Sequence, residues 1–182
     1  MKSLQGRFLV AAPHQLDPNF VRVVILVVGH TRRAAFGVIV NETAEKRPRL
    51  RQRNSRRPSP GKAGFNFGGP VTGPLMAVHT NALLGERRLL PGVFFSAKER
   101  NVLSLMGQTE HPCKVFTGYA GWGPGQLDHE VEQGTWRVVP ATSEQIFSDC
   151  RDLWEQLSRQ ASRLQLWTMF NIKHIPADPS LN

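Results

Sequence analysis

The residues with most to offer chemically gather around one tryptophan. Gly121-Trp122-Gly123-Pro124-Gly125-Gln126 sets an indole among glycines just ahead of an expected helix start. Successive backbone N–H groups at such a start, with the helix dipole behind them, favour phosphate or carboxylate. Trp122 could stack on a ring there, and Gln126 could add hydrogen bonds. The Gly68-Gly69-Pro70-Val71 turn and His30, near a predicted strand end, complete this candidate ligand site. The same residues also fit a tight structural turn with Trp122 packed in the core or over Gly68-Gly69-Pro70. Neither GxxxxGK[ST] nor GxGxxG occurs, so the further phosphate contacts of a P-loop are missing.

Other clusters point away from catalysis. Asp128-His129-Glu130-Val131-Glu132 has the look of a metal or acid–base group. On a helix, however, Asp128 and Glu132 share a face while His129 and Glu130 turn elsewhere. Acids in a first turn offset the dipole, so a solvated face is the expectation. The six histidines show no HxH, HExxH or Cys–His spacing, and neither a metal nor a cofactor is expected. His30 and His79 fall near strand ends where they could meet. GxSxG is absent, and Cys113 reads as a packed thiol rather than a nucleophile. No catalytic residue is assigned.

Charge is concentrated. Residues 46–62 hold eight of the 23 basic residues and none of the 14 acidic ones, so the net charge of +9 belongs to one segment. Arg47, Arg49, Arg51, Arg53, Arg56 and Arg57 are candidate phosphate contacts. The run lacks interleaved aromatics, which leaves base stacking unsupported. Its partner would be nucleic acid or another acidic molecule; a solvated, mobile insertion is the competing reading. No apolar run approaches the roughly 20 residues needed to cross a bilayer. Residues 1–6 lack a secretory leader's apolar stretch. The expected location is the cytoplasm, away from membranes.

The elements that must position these groups are short. Residues 6–12, 20–28 and 34–40 read as strands, the second apolar on both faces and therefore central. Residues 75–79, 93–95, 114–119 and 136–139 read as further strands. Ser96 with Glu99 suggests a capping box for a helix over 97–106, with Val102, Leu103 and Met106 on one face. Pro124 suits the first position of a helix over 124–133, which Gly134 would end. Thr142 with Gln145 suggests another cap, followed by one or two helices broken near Ser148. The expected fold is α/β (α+β): one domain over residues 1–182 with a mixed, mostly antiparallel sheet and packed helices.

Several of these stretches together carry a resemblance. Gly68-Gly69-Pro70-Val71, the block from Gly118 to Leu127, the strand from Trp136 to Pro140 and the closing Asp178-Pro179-Ser180-Leu181-Asn182 resemble the AlgH/YqgE family of bacterial proteins. So do Gly6, Leu9, Val10, Ala11, Phe20, Val23, Val24, His30, Gly37 and Asn41. The resemblance implies a single α/β domain with a mixed sheet. It also implies an affinity with proteins some of which carry the label of transcriptional regulator, though no DNA-binding motif underlies that label. The chain departs from the family between Glu45 and Ala63, where it is far more basic. The expectation is a non-enzymatic binding or regulatory protein. The alternative is an enzyme or small-ligand binder, for an anion or nucleotide, with its site between the two glycine turns.

Overall fold

A computed structural model describes residues 2–42, 65–148 and 152–169. The basic segment and the closing motif fall outside these, as does Cys150. Nine strands run in chain order: β1 (Arg7–Ala11), β2 (Val24–His30), β3 (Ala35–Ile39), β4 (Asn66–Phe67), β5 (Val71–His79), β6 (Arg87–Leu90), β7 (Val93–Ser96), β8 (Cys113–Trp122) and β9 (Trp136–Pro140). Four α-helices accompany them: α1 (Glu99–Met106), α2 (Gln126–Glu132), α3 (Ser143–Phe147) and α4 (Leu153–Met169). The strands form one sheet in the order β6-β7-β5-β8-β3-β2-β1-β9, with β4 beside β8. Every pairing is antiparallel except β4 with β8.

Both faces of the sheet are apolar because successive side chains point to opposite sides. Phe8, Val10, Leu26, Val38, Val78 and Phe116 enter one core, which Ile146, Leu153, Leu157 and Ala161 of α3 and α4 cover. Leu9, Ile25, Ile39, Ala120, Trp122 and Trp136 enter a second, joined by Leu127 of α2. Val102 and Leu105 of α1 pack on Ala77 of β5. The sheet curls until its β6 end approaches β1 and β2. Gln5 donates its side-chain amide to Arg88 O at 3.1 Å, and Arg87 donates to Val28 O at 3.3 Å.

The largest departure from the sequence reading concerns the glycine–tryptophan block. Its first half, Gly118 to Trp122, is strand and not turn. Phe116, Gly118, Ala120 and Trp122 alternate inward along β8, a period of two that the glycines disguise. The turn is confined to Gly123, Pro124 and Gly125. Gly125 adopts φ 69° and caps α2, so Pro124 precedes the helix instead of opening it. Gly134, at φ 74°, ends that helix region as expected.

Other departures have local causes. β2 begins at Val24 because Asn41 accepts from Val24 N at 2.8 Å and donates to Arg22 O at 2.9 Å, fastening the chain where Arg22 turns at φ 56°. Ser96 does not cap α1: it ends β7, fully buried, and donates to Leu84 O. The helix starts instead after Lys98, and its inward face is Val102 and Leu105, with Leu103 exposed. Thr142 does cap α3, accepting from Gln145 N, and Ser148 closes it.

Candidate functional site

The two glycine motifs meet, backbone to backbone. A Cβ on Gly68 would stand 2.2 Å from Gly118 O, one on Gly69 2.2 Å from Tyr119 C, and one on Gly118 2.4 Å from Gly69 O. Gly69 and Gly118 also hold φ values of 149° and 73°, a region that side chains disfavour. These glycines are where the chain entering β5 crosses β8 at contact distance. Gly68 and Gly69 are buried, Pro70 exposed.

The polar atoms around Trp122 are occupied by one another. Glu130, on α2, accepts the indole N–H of Trp122 at 2.9 Å and that of Trp136 at 2.7 Å on the same oxygen. Its other oxygen accepts from the Gln126 amide at 2.8 Å. Gln126 in turn accepts from Gly123 N at 3.0 Å. The two indoles meet edge to face, 6.1 Å between ring centres, and both are buried. Glu130 therefore leaves the solvated face foreseen for residues 128–132, of which His129 and Glu132 alone are exposed. The Gly123 N–H offered to an anion is taken by Gln126, which is itself bound to the Glu130 carboxylate, a charge that repels an anion.

His30 is equally committed. Its Nδ1 accepts from Leu4 N at 3.1 Å, which places the ring proton on Nε2, 3.5 Å from the Asp128 carboxylate. No lone pair is left for general-base work. His79 lies elsewhere, against Ser96 and stacked on Phe94. Since the Ser96 hydroxyl donates to Leu84 O, it receives the Nε2 proton of His79 at 2.9 Å. Burial lowers the pKa of His79 below its ordinary 6.5, while the Asn81 backbone and Glu86 act the other way. Burial also pushes the Cys113 thiol up to about 11, which keeps it protonated and unreactive. Among the described residues no three His, Cys, Asp or Glu side chains gather as a metal-binding group.

One open groove of about 490 Å³ touches the block. Phe36, Met76, Tyr119 and Trp122 line it, with Val71 and Gly121. The Tyr119 ring fits here because Gly73 and Gly121 lack side chains: a Cβ on either would come within 3.1–3.2 Å of it. The groove thus joins Gly121, Trp122 and Gly123 to Val71, while Gly68, Gly69, Pro70, Gln126, His30 and His79 are not among its lining residues. Sequence reasoning did not single out Phe36 or Tyr119, and it gave Glu130 to a solvated face. Glu130 carried one usable signal, an acid in helical range of two tryptophans that a tight turn folds back on it.

A single curled, mostly antiparallel sheet with four helices, bound by glycine contacts and an indole–carboxylate cluster, defines the class of protein. Comparison with known proteins then identifies the family. The family model described as AlgH-like (DUF179) matches residues 8–164. A UPF0301 protein of Streptomyces coelicolor is 32% identical over 205 residues, covering 100% of this chain and 97% of its own. One of Thermobifida fusca is 34% identical over 197 residues, covering 99% and 96%. The solution structure of the AlgH protein from Pseudomonas aeruginosa superposes with a TM-score of 0.67 at 26% identity, covering 97% of each chain. A crystal structure of a Corynebacterium diphtheriae protein shares the fold, with a TM-score of 0.64 over 88% of this chain and 87% of that one. The chain belongs to the AlgH-like family. No described helix is long and apolar enough to cross a membrane.

Proposed function

We propose that this is a non-enzymatic binding protein of the cytoplasm, regulatory in type, whose partner is acidic and in the first instance duplex nucleic acid. The observation that carries the reading is the uneven charge: eight basic residues and no acid between residues 46 and 62, in a chain otherwise close to neutral. Support comes from the glycine–tryptophan block, whose polar groups serve each other rather than a substrate. Contact through Arg47, Arg49, Arg51, Arg53, Arg56 and Arg57 neutralises phosphates without reading base edges. Affinity then falls with salt, with a log–log slope of about −0.9 per phosphate contact. Changing Arg51, Arg53, Arg56 and Arg57 together to Ser should abolish most binding to a duplex of arbitrary sequence, while Trp122→Phe leaves it. Binding insensitive to salt, or lost with Trp122 alone, defeats the proposal.

The groove favours a second reading, a small-ligand protein. Its aromatic walls suit a flat apolar ring better than the phosphate or nucleotide suggested by the glycine pattern. A thermal-shift screen of nucleotides, phosphate and aromatic metabolites tests it. A shift that disappears in Gly121→Val would favour this reading over the first.

A further inference from the structure

We propose that His30 is a proton-operated latch on the strap of residues 3–6 that seals the curled sheet. The strap lies outside the strand pairings, yet it ties β6 to β2. Ser3 donates its hydroxyl to His30 O at 3.2 Å, and Leu4 donates its N–H to His30 Nδ1 at 3.1 Å. Gln5 reaches Arg88 O on β6, and Gly6 donates to Val27 O at 2.9 Å. Gly6 lies so close to β6 that a Cβ there would stand 2.3 Å from Leu89 O.

The latch follows from the count of protons on one ring. A neutral imidazole has one N–H and one lone pair. Here the lone pair on Nδ1 receives Leu4, and the Nε2 proton faces Asp128 Oδ2 at 3.5 Å. A second proton can go only to Nδ1. It removes the acceptor and sets two N–H groups against each other across 3.1 Å, so the strap lets go. The same proton makes the ring a cation, which draws closer to the Asp128 carboxylate. Proton uptake therefore transfers His30 from the strap to α2. Asp128 is the charged group facing the ring from α2, and Glu130 on the same helix is bound to the two indoles. From β6, Arg87 lies over the neighbouring Gly29, where a Cβ would meet its guanidinium at 2.7 Å. From β3, the paired residue is uncharged Ala35. The ring is nearly sealed from water, with its side chain 2% exposed, so the exchange is between protein partners and not with solvent.

Nuclear magnetic resonance on the full chain tests this. The ring nitrogen shifts report the tautomer and the protonation of His30, and hydrogen exchange, corrected for its intrinsic pH dependence, reports the Leu4 amide. At neutral pH the ring should carry its proton on Nε2. On acidification, Leu4 protection should fall about tenfold, the scale of one lost hydrogen bond, with the midpoint of the His30 titration. His30→Asn places an oxygen acceptor where Nδ1 stands and should make Leu4 protection independent of pH. Asp128→Asn should keep the coupling between the ring's protonation and Leu4 protection. The latch is overturned by an Nδ1-protonated ring at neutral pH, by a ring that stays neutral until global unfolding, by Leu4 protection that ignores the titration, or by a folded Asn variant that keeps the pH response. Should His30→Asn not fold, the wild-type tautomer and coupled titration decide the matter alone.

Discussion

Glu130 holds two buried indole N–H groups on one carboxylate oxygen, so its removal strands both donors. Leaving buried donors unpaired costs the desolvation of each, and Glu130→Ala should lower stability by about 2–4 kcal/mol. Glu130→Gln should cost less, because its one oxygen can still receive the indoles while its amide confronts that of Gln126. Urea unfolding followed by tryptophan fluorescence reads both; equal losses, or none, would show that the cluster is not held by the carboxylate. His79 supplies a pH effect of known sign. Its pKa is lowered in the folded chain by burial. The unfolded chain then binds the proton more readily, so stability is fully present above the ordinary value and declines as pH falls below it. Between pH 7 and 5, His79→Gln should flatten this decline even if its baseline stability is lower. A slope unchanged by the substitution would assign the pH dependence to other groups.

At the scale of elements, the glycines divide into those that yield space and those that only turn the chain. Gly118 does both: φ is 73° and a Cβ would strike Gly69 O at 2.4 Å. Gly125 has nearly the same φ, 69°, and open space around it. Gly125→Ala should therefore cost about 1–2 kcal/mol for its backbone alone, and Gly118→Ala roughly twice that or more, since the crossing strands must also part. Comparable losses in chemical denaturation would mean that the β5–β8 crossing gives way easily. The same pair explains what could be read from the residues beforehand. The antiparallel succession β1, β2, β3 and the central place of β2 followed from hydrophobic runs and short turns. The length of β8 did not, because Gly118 and Gly121 hide its alternation and only their contacts show why they are there. Ser96 and Thr142 start the same capping pattern, yet Thr142 caps a helix and Ser96 lies buried between His79 and Leu84. What separates them is tertiary burial, which no local spacing records. Glu130 was assigned to a solvated face for a related reason: Gly125 turns α2 back over the sheet, and the acid ends beneath two tryptophans.

For the whole molecule, the question is whether the fold and the concentrated charge are separable. Among the described residues, the two main cores draw on residues before Glu42 and after Asn66. Those two parts of the chain are joined to each other directly: Phe67 donates its N–H to Glu42 O at 3.2 Å, and Gly68 O receives Ile39 N at 2.9 Å. Glu42 and Phe67, described residues on either side of the basic segment, thus lie side by side, close enough for a short connection. We expect that replacing residues 46–62 with a brief Gly/Ser linker leaves cooperative unfolding intact. The closing loop is then roughly halved, and the entropy of closure alone should raise stability by about 0.6 kcal/mol. The +9 charge falls to near neutrality in the same step, so affinity for a DNA duplex should disappear while the tryptophan fluorescence of the folded state is kept. Calorimetry or urea unfolding, paired with a duplex titration at low salt, measures both. A broad, non-cooperative transition would mean that the segment is part of the core. A cooperative one with duplex binding undiminished would move the acidic partner to another face of the molecule, where the exposed Arg32 and Arg33 of the β2–β3 turn would be the next residues to change.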